Sequence, residues 1–218
     1  MELLQTVFHR IRSVIHNPEK LWHPLKQFAF YLVRRWQYGK INVNVVIKDS
    51  RMIKNRDHIY FEGSAFIMPN CRIEPVLSYE NSSYNPSVII GNNVSINQSL
   101  HLTCANHITI GNHTNIAAFV TITDISHPYE DITIPIKNAT LKIGEVTIGE
   151  GCEIYNGAVI LPNVHIGNHC VIGANSIVSC DIPDFSVAVG APARIVKRYS
   201  IEKESWLRVD KNGNFISE

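Results

Sequence analysis

The stretch VTIGEGCEIYNGAVILPNVHIGNHCVIGANSIV, Val146 to Val178, carries the period that decides the fold. Ile148, Ile154, Ile160, Ile166, Ile172 and Val178 return every six residues, and two positions before each stands a small or modest side chain: Val146, Cys152, Ala158, Val164, Cys170 and Ser176. An amphipathic helix repeats near 3.6 residues and a plain strand at two, so a period of six needs another geometry. Short strands that turn a corner every six residues supply it. The aliphatic residue points to the axis, and the small residue two before it joins it by strand alternation. The corner falls on Gly or Asn, which tolerate left-handed torsions, in the segments IGNN, IGNH and IGEG. Three faces close a rung, and rungs stack as parallel strands do, roughly 4.8 Å apart. Ile148 is then expected under Ile166, and Cys152 under Cys170.

Upstream, the frame appears at Ile90, Ile96 and Leu102, restarts two residues out of phase at Ile110, Ile116 and Ile122, and leaves a weaker copy at Phe61, Ile67 and Ile73. The expected architecture is all-β: a parallel β-helix of hexapeptide repeats over 41–198, preceded by an N-terminal helical segment, 1–40, and followed by a tail, 199–218. In the N-terminal segment Leu3, Leu4, Val7, Phe8, Ile11, Val14 and Ile15 fall at helical steps, Pro18 and Pro24 punctuate the chain, and a second apolar stretch runs from Phe28 to Trp36. Seven basic residues stand there against Glu2 and Glu19. The expectation is a helix packed on its own domain, with an anionic membrane surface as the alternative partner.

A chain of 218 residues accommodates one main domain, and a formal net charge of +1 gives no basis for wrapping nucleic acid. The five cysteines are odd in number, scattered and without CxxC spacing, and no secretory leader precedes them, which implies reduced thiols in the cytoplasm. Arg34 and Arg35 break the most apolar N-terminal stretch, so no spanning helix is expected. The protein is read as cytoplasmic, soluble or peripheral at the inner face of the membrane.

Between Ile122 and Ile148 the beat disappears, in TITDISHPYEDITIPIKNATLKIGEV, Thr121 to Val146. A packed coil with flat faces has no pocket, so reactive groups are expected on the segment that leaves it. This excursion, 123–145, is read as the coil's only large interruption, and His127 stands at its start. A neutral imidazole, which titrates near pH 6.5 (roughly) in water, is suited to remove a proton from an acceptor. Asp124, three residues earlier, has two readings: an orienter of the imidazole, or a cap for its own turn.

The repeats, followed by CDIPDFSVAVGAPARIVKRY (Cys180 to Tyr199), resemble those of the left-handed β-helix hexapeptide-repeat acyltransferases, most closely from Ile90 to Arg198. The resemblance extends to galactoside, maltose and polysaccharide O-acetyltransferases. It implies a homotrimer that uses acetyl-CoA as co-substrate and no metal. It places a catalytic base at His127, in the HP pair, acting by direct transfer without an acyl-enzyme. Asn97, in NVSINQSLHL, would hold the acceptor or the oxyanion opposite that base. Asn156, Gly157 and Ala174 would line a pantetheine slot between neighbouring coils, and Arg194, Lys197 and Arg198 would meet the phosphates. Two positions depart from the family pattern: Glu153 stands where many relatives carry Trp, and Cys180 where they often carry Lys.

The function so implied is O-acetylation of a sugar hydroxyl in surface polysaccharide synthesis of O-antigen or capsule type. The alternatives are N-acetylation of a nucleotide-linked amino sugar, serine acetylation, a silent trimeric scaffold, and zinc chemistry of the γ-carbonic anhydrase kind. The last needs histidines that converge on one ion, whereas His101, His107 and His113, six apart, rotate around the coil.

Overall fold

The computed structural model describes residues 19–49, 51–210 and 213–216, with backbone alone for 19–24, 26 and 27. The helical pattern expected from Leu3 to Ile15 lies outside the described residues.

From Lys40 onward the chain winds as a three-sided prism of parallel strands. One face stacks Ile59–Phe61, Ser87–Ile90, His107–Ile110, Glu145–Ile148 and Val164–Ile166. The second begins Val45–Ile47, Ala65–Ile67, Val94–Ile96, Asn115–Ile116, Glu153–Ile154, Val171–Ile172 and Ser186–Val189. Two antiparallel strands, Arg194–Ser200 and Ser205–Arg208, extend it to nine. The third stacks Arg72–Pro75, His101–Cys104, Thr121–Thr123, Val159–Ile160 and Ile177–Val178. Like sits on like: Ile90 on Ile110, Ile110 on Ile148, and Ile148 on Ile166. Cys152 and Cys170 directly precede the Glu153–Val171 pair and so occupy consecutive rungs. All five cysteines are free thiols, four of them buried.

The aliphatic residues of the six-residue beat are sealed from solvent along the axis. Burying such a side chain is worth about 1.5–3 kcal/mol, so the stack of isoleucines is the main favourable term of the coil. Ile41, Ile47 and Ile53 share the spacing and form its first rung, with Ile47 beneath Ile67 and Ile53 beneath Ile73.

Corners between the first and second faces show why Gly and Asn recur. A Cβ on Gly111 would lie 2.5 Å from the carbonyl carbon of Gly149, so successive turns pack backbone on backbone. The next residue's side chain then ties the rungs: Asn112 Oδ1 accepts the Asn92 amide at 2.8 Å, and Asn168 Oδ1 accepts the Glu150 amide at 2.9 Å. Asn93, His113 and His169 follow in left-handed conformation. His113 is therefore a turn residue, while His101 and His107 lie on two different faces, so the three do not converge.

Every lengthening of the six-residue step falls on one edge of the prism, between the third face and the first. The step is eight from Ile53 to Phe61, seventeen from Ile73 to Ile90, eight from Leu102 to Ile110 and twenty-six from Ile122 to Ile148. Contrary to the expectation from the sequence, the excursion 123–145 is thus not the coil's only large interruption. A shorter one between Pro75 and Ser87 forms a hairpin, Ser78–Tyr79 against Ser82–Ser83. The two extra residues after Leu102 form a corner that closes over a single carboxylate. Asp124 accepts the backbone N–H groups of Ala105 at 2.8 Å, Asn106 at 2.8 Å and His107 at 3.0 Å, and the Cys104 thiol at 3.3 Å.

At the base of the prism a helix, Glu19–Arg34, runs through Pro24 rather than stopping at it. Phe30 leans on the coil's core, and Tyr38 plugs the base, its ring 5.7 Å from that of Phe61. Leu25, Phe28, Leu32 and Val33 face outward. The helix thus meets its own domain through Phe30, while the apolar stripe of Leu25, Phe28 and Leu32 faces away from it.

Two substitutions test this construction. Ile116→Ala, in the middle of the axial stack, is expected to lower unfolding free energy by about 2–5 kcal/mol in urea titration. Asp124→Ala strands buried amides whose orphaning costs about 1–3 kcal/mol each, so a loss of about 3 kcal/mol or more is expected; a loss under about 1 kcal/mol would mean that water replaces the carboxylate.

Candidate active site

The edge where the coil lengthens is built upward from its strands. After Thr121–Thr123 the chain stays pinned, because the Thr123 hydroxyl accepts from Thr103 Oγ1 at 2.9 Å and from the Ile125 amide at 3.1 Å. Ile125–Ser126 then pairs with Lys142–Ile143, Ile125 opposite Ile143, which closes the neck of the excursion. The Gly144 amide donates to Asp124 O at 2.7 Å, and Asn106 Nδ2 donates to Gly144 O at 2.9 Å. His127 emerges just above this neck, exposed.

The hairpin beneath braces the excursion. The Tyr79 hydroxyl donates to Lys137 O at 2.5 Å, and Ser82 Oγ lies 3.5 Å from Thr140 Oγ1. The Tyr79 ring stands 5.3 Å from the His127 ring at an interplanar angle of 70°, an edge-type contact. No hydrogen bond to the His127 imidazole is present among the described residues, and the residue is exposed. Tyr79 is a residue that sequence reasoning missed. Its signal was the seventeen-residue gap between Ile73 and Ile90.

Asp124 has the contacts of a corner cap. Its carboxylate is wholly buried against the amides of 105–107 and the Cys104 thiol, and none of its hydrogen bonds goes to His127. Burial, reinforced by the Asp124 charge, pushes the Cys104 thiol well above its ordinary range, so it remains a protonated donor. Neither reading open in the sequence matches these partners: Asp124 caps the corner 105–107 of the neighbouring rung rather than its own turn, and it does not hold the imidazole.

Asn97 lies at the end of a second-face strand, on a different edge from His127. Its Nδ2 donates to Ile116 O at 3.2 Å and lies 3.5 Å from Asn115 Oδ1, while Asn115 in turn donates to Glu153. Within one chain Asn97 and His127 are not brought together. Asn156, Gly157 and Ala174 follow one another on the edge between the second and third faces, Asn156 and Ala174 exposed. Gly157 is left-handed, φ +70°, and a Cβ there would lie 2.3 Å from Asn175 Oδ1.

Arg194, Lys197 and Arg198 share one strand but not one side. Its register skips Val196, so Lys197 opposes Val187 while Arg198 opposes the buried Ser186. Arg194 and Lys197 are exposed, whereas Arg198 Nε is buried without a hydrogen-bond partner. Arg198 therefore does not join the other two on the outer surface. Arg208, directly across from Lys197, does, and nothing in the hexapeptide pattern marks it. Exposed apolar side chains cluster on the excursion: Tyr129, Ile132 at 94 % exposure, Ile134, Ile136 and Ile143.

The chain is similar to several known proteins. A family model described as bacterial transferase hexapeptide (six repeats) matches residues 145–180. The putative lipopolysaccharide biosynthesis O-acetyl transferase WbbJ of Escherichia coli (strain K12) is 36% identical over 126 residues, 55% of this chain and 64% of that protein. The chain thus spans somewhat under two thirds of that relative. The galactoside O-acetyltransferase of Lactococcus lactis subsp. lactis (strain IL1403) is 31% identical over 183 residues, 84% of this chain and 81% of that one. Among solved structures, AntD, an N-acyltransferase from Bacillus cereus in complex with dTDP and 3-hydroxybutyryl-CoA, superposes with a TM-score of 0.61 over 78% of this chain and 88% of its own, at 21% identity, a likeness of fold. With the sextet frame, the left-handed coil and relatives aligned over most of their length, the chain belongs to the hexapeptide-repeat family of acyltransferases.

Proposed function

We propose that this protein is an acetyl-CoA-dependent O-acetyltransferase that modifies a sugar hydroxyl, in the synthesis of a surface polysaccharide of O-antigen or capsule type. The observation that carries the reading is His127: an exposed imidazole without a hydrogen bond among the described residues, held at the one edge where the coil departs from its period. In this reading the imidazole takes the proton of the acceptor hydroxyl as that oxygen bonds to the thioester carbonyl carbon. It returns the proton to the departing thiolate when the carbon–sulfur bond breaks. General base catalysis of this kind supplies roughly 10² to 10⁴ in rate. The sugar assignment draws on the likeness to a lipopolysaccharide and to a galactoside O-acetyltransferase.

The site is completed by a second copy of the chain. Asn97 and His127 occupy different edges of one prism, and the excursion exposes a run of apolar side chains that an isolated chain leaves in water. A homotrimer with sites at its seams brings the His127 edge of one copy beside the Asn156 and Gly157 edge of another. The small side chains of Gly157 and Ala174 fit a narrow slot for pantetheine, with Arg194 and Lys197 for the phosphates and Arg208 beside them. Arg198 is left out of that set. A cytoplasmic location agrees with the five free thiols.

Tyr79 serves as a positioning residue in this scheme. With Asp124 committed to the corner, the Tyr79 ring is what limits rotation of the imidazole. An edge-type aromatic pair is worth about 0.5–1.5 kcal/mol, so Tyr79→Leu is expected to lower kcat by roughly two- to twelvefold with the KM for acetyl-CoA nearly unchanged. Tyr79→Phe, which keeps the ring, should restore most of it; a Phe variant as impaired as Leu would assign the effect to the hydroxyl's bond to Lys137 instead.

The function itself is tested by release of free CoA across a panel of sugars, nucleotide-linked amino sugars and serine. Wild type is expected to respond to a sugar hydroxyl, and His127→Ala to lose at least about a hundredfold in turnover. Response to nucleotide-linked amino sugars alone would replace O-acetylation with N-acetylation, and unchanged turnover in His127→Ala would remove the base.

A further inference from the structure

Among the described residues, the helix Glu19–Arg34 has a face without a partner at the base of the prism. Leu25 (59 % exposed), Phe28, Leu32 and Trp36 (80 % exposed) fall at steps of three and four and form one stripe, with exposed Val33 beside it. The opposite side of the helix is occupied: Phe30 packs on the core, and the Arg34 guanidinium covers the Phe30 ring at 4.0 Å. The Arg35 guanidinium lies over the Trp36 ring at 4.6 Å, placing a cation beside the outward aromatic. From Glu19 to Arg35 the sequence holds four cations, Lys20, Lys26, Arg34 and Arg35, against the one carboxylate of Glu19.

We infer that this helix docks the protein on an anionic bilayer surface, with Leu25, Phe28, Leu32 and Trp36 entering the headgroup boundary. Charge decides between this occupant and a second copy of the same stripe. Two such helices face to face would set cations against cations, whereas an anionic leaflet neutralises them. An apolar stripe ending in Trp, with Arg35 beside it and Lys20 and Lys26 on the same segment, is also the composition of an interfacial helix. Among the described residues no helix is long and apolar enough to cross a membrane, so the contact is peripheral.

The docking has a consequence for the acceptor, and this part rests on the acyl-transfer reading. On the second face, Val45–Ile47, Ala65–Ile67, Val94–Ile96 and Asn115–Ile116 are successive strands, and the chain passes from the last of them to His127. Three strand spacings of roughly 4.8 Å put the catalytic rung about 14 Å above the coil's first rung. A prism standing on the bilayer by its base therefore holds the imidazole at the height of the first sugars of a glycan carried on a lipid. The substrate class this selects is a lipid-linked glycan precursor rather than a free sugar.

Co-sedimentation of the full chain with vesicles of phosphatidylcholine, with and without phosphatidylglycerol, tests the docking independently of catalysis. Binding is expected only with the anionic lipid. Arg35→Gln should weaken it about fivefold, as expected for one cation near the surface. Phe28→Asp with Leu32→Asp should weaken it at least about tenfold while leaving turnover of a soluble acceptor intact. Absence of binding, equal binding to both vesicles, or binding that survives the double substitution would overturn the inference. So would a double variant whose assembly mass by light scattering falls, because the stripe would then meet another copy. His127→Ala separates the two claims: if it binds vesicles yet turns over like wild type, the reading of His127 as the base fails while the docking stands.

Discussion

The parallel register of stacked rungs is the constraint on which everything else in this molecule depends. Each strand must present its aliphatic residue to the same axis as the strand beneath, and a shift of one residue would turn that residue outward. Insertions are therefore excluded within strands. They are also absent from two of the three edges, where each step between Phe61 and Val178 is six residues. At the edge between the first and second faces the backbones of Gly111 and Gly149 touch and the Asn112 and Asn168 side chains bridge rungs, so extra residues would break contacts on both sides. The third edge absorbs all the added length.

Concentrating length on one edge is how a fold with flat faces acquires a site. The hairpin after Pro75, the widened corner over Asp124 and the excursion from Asp124 to Gly144 lie above one another. Each supports the next: Tyr79 braces the excursion, and the Asp124 carboxylate holds the corner that the neck of the excursion leans on. The buried carboxylate and the exposed imidazole are three residues apart yet do different work. Three backbone donors and a thiol satisfy the first, and the second is left with one aromatic neighbour. That division leaves the imidazole available to substrate.

Much of this was legible in the sequence, for a physical reason: the six-residue beat is a direct image of the stacking register. It located the strands, the axial residues, the Ile148–Ile166 and Cys152–Cys170 neighbours and the excursion that bears His127. Features that depend on contacts between insertions were not legible. Tyr79 sits in a hairpin with no periodicity of its own, and only the missing beat between Ile73 and Ile90 announced it. The side on which Arg198 falls depends on the irregularity at Val196, which shifts alternation by one residue and which composition does not encode. The outward stripe of the N-terminal helix shows the reverse case: its amphipathic period was plain, but a period cannot say which surface receives it.

The physical claim at the centre is that the edge carrying the insertions is where acyl transfer takes place, at a seam between copies. A crystal structure with coenzyme A bound tests it most directly. The expected result places the sulfur within hydrogen-bonding reach of a His127 imidazole, with the pantetheine running along the Asn156 and Gly157 edge of a neighbouring copy. Coenzyme A seated away from that seam, with its sulfur remote from every His127, would contradict it.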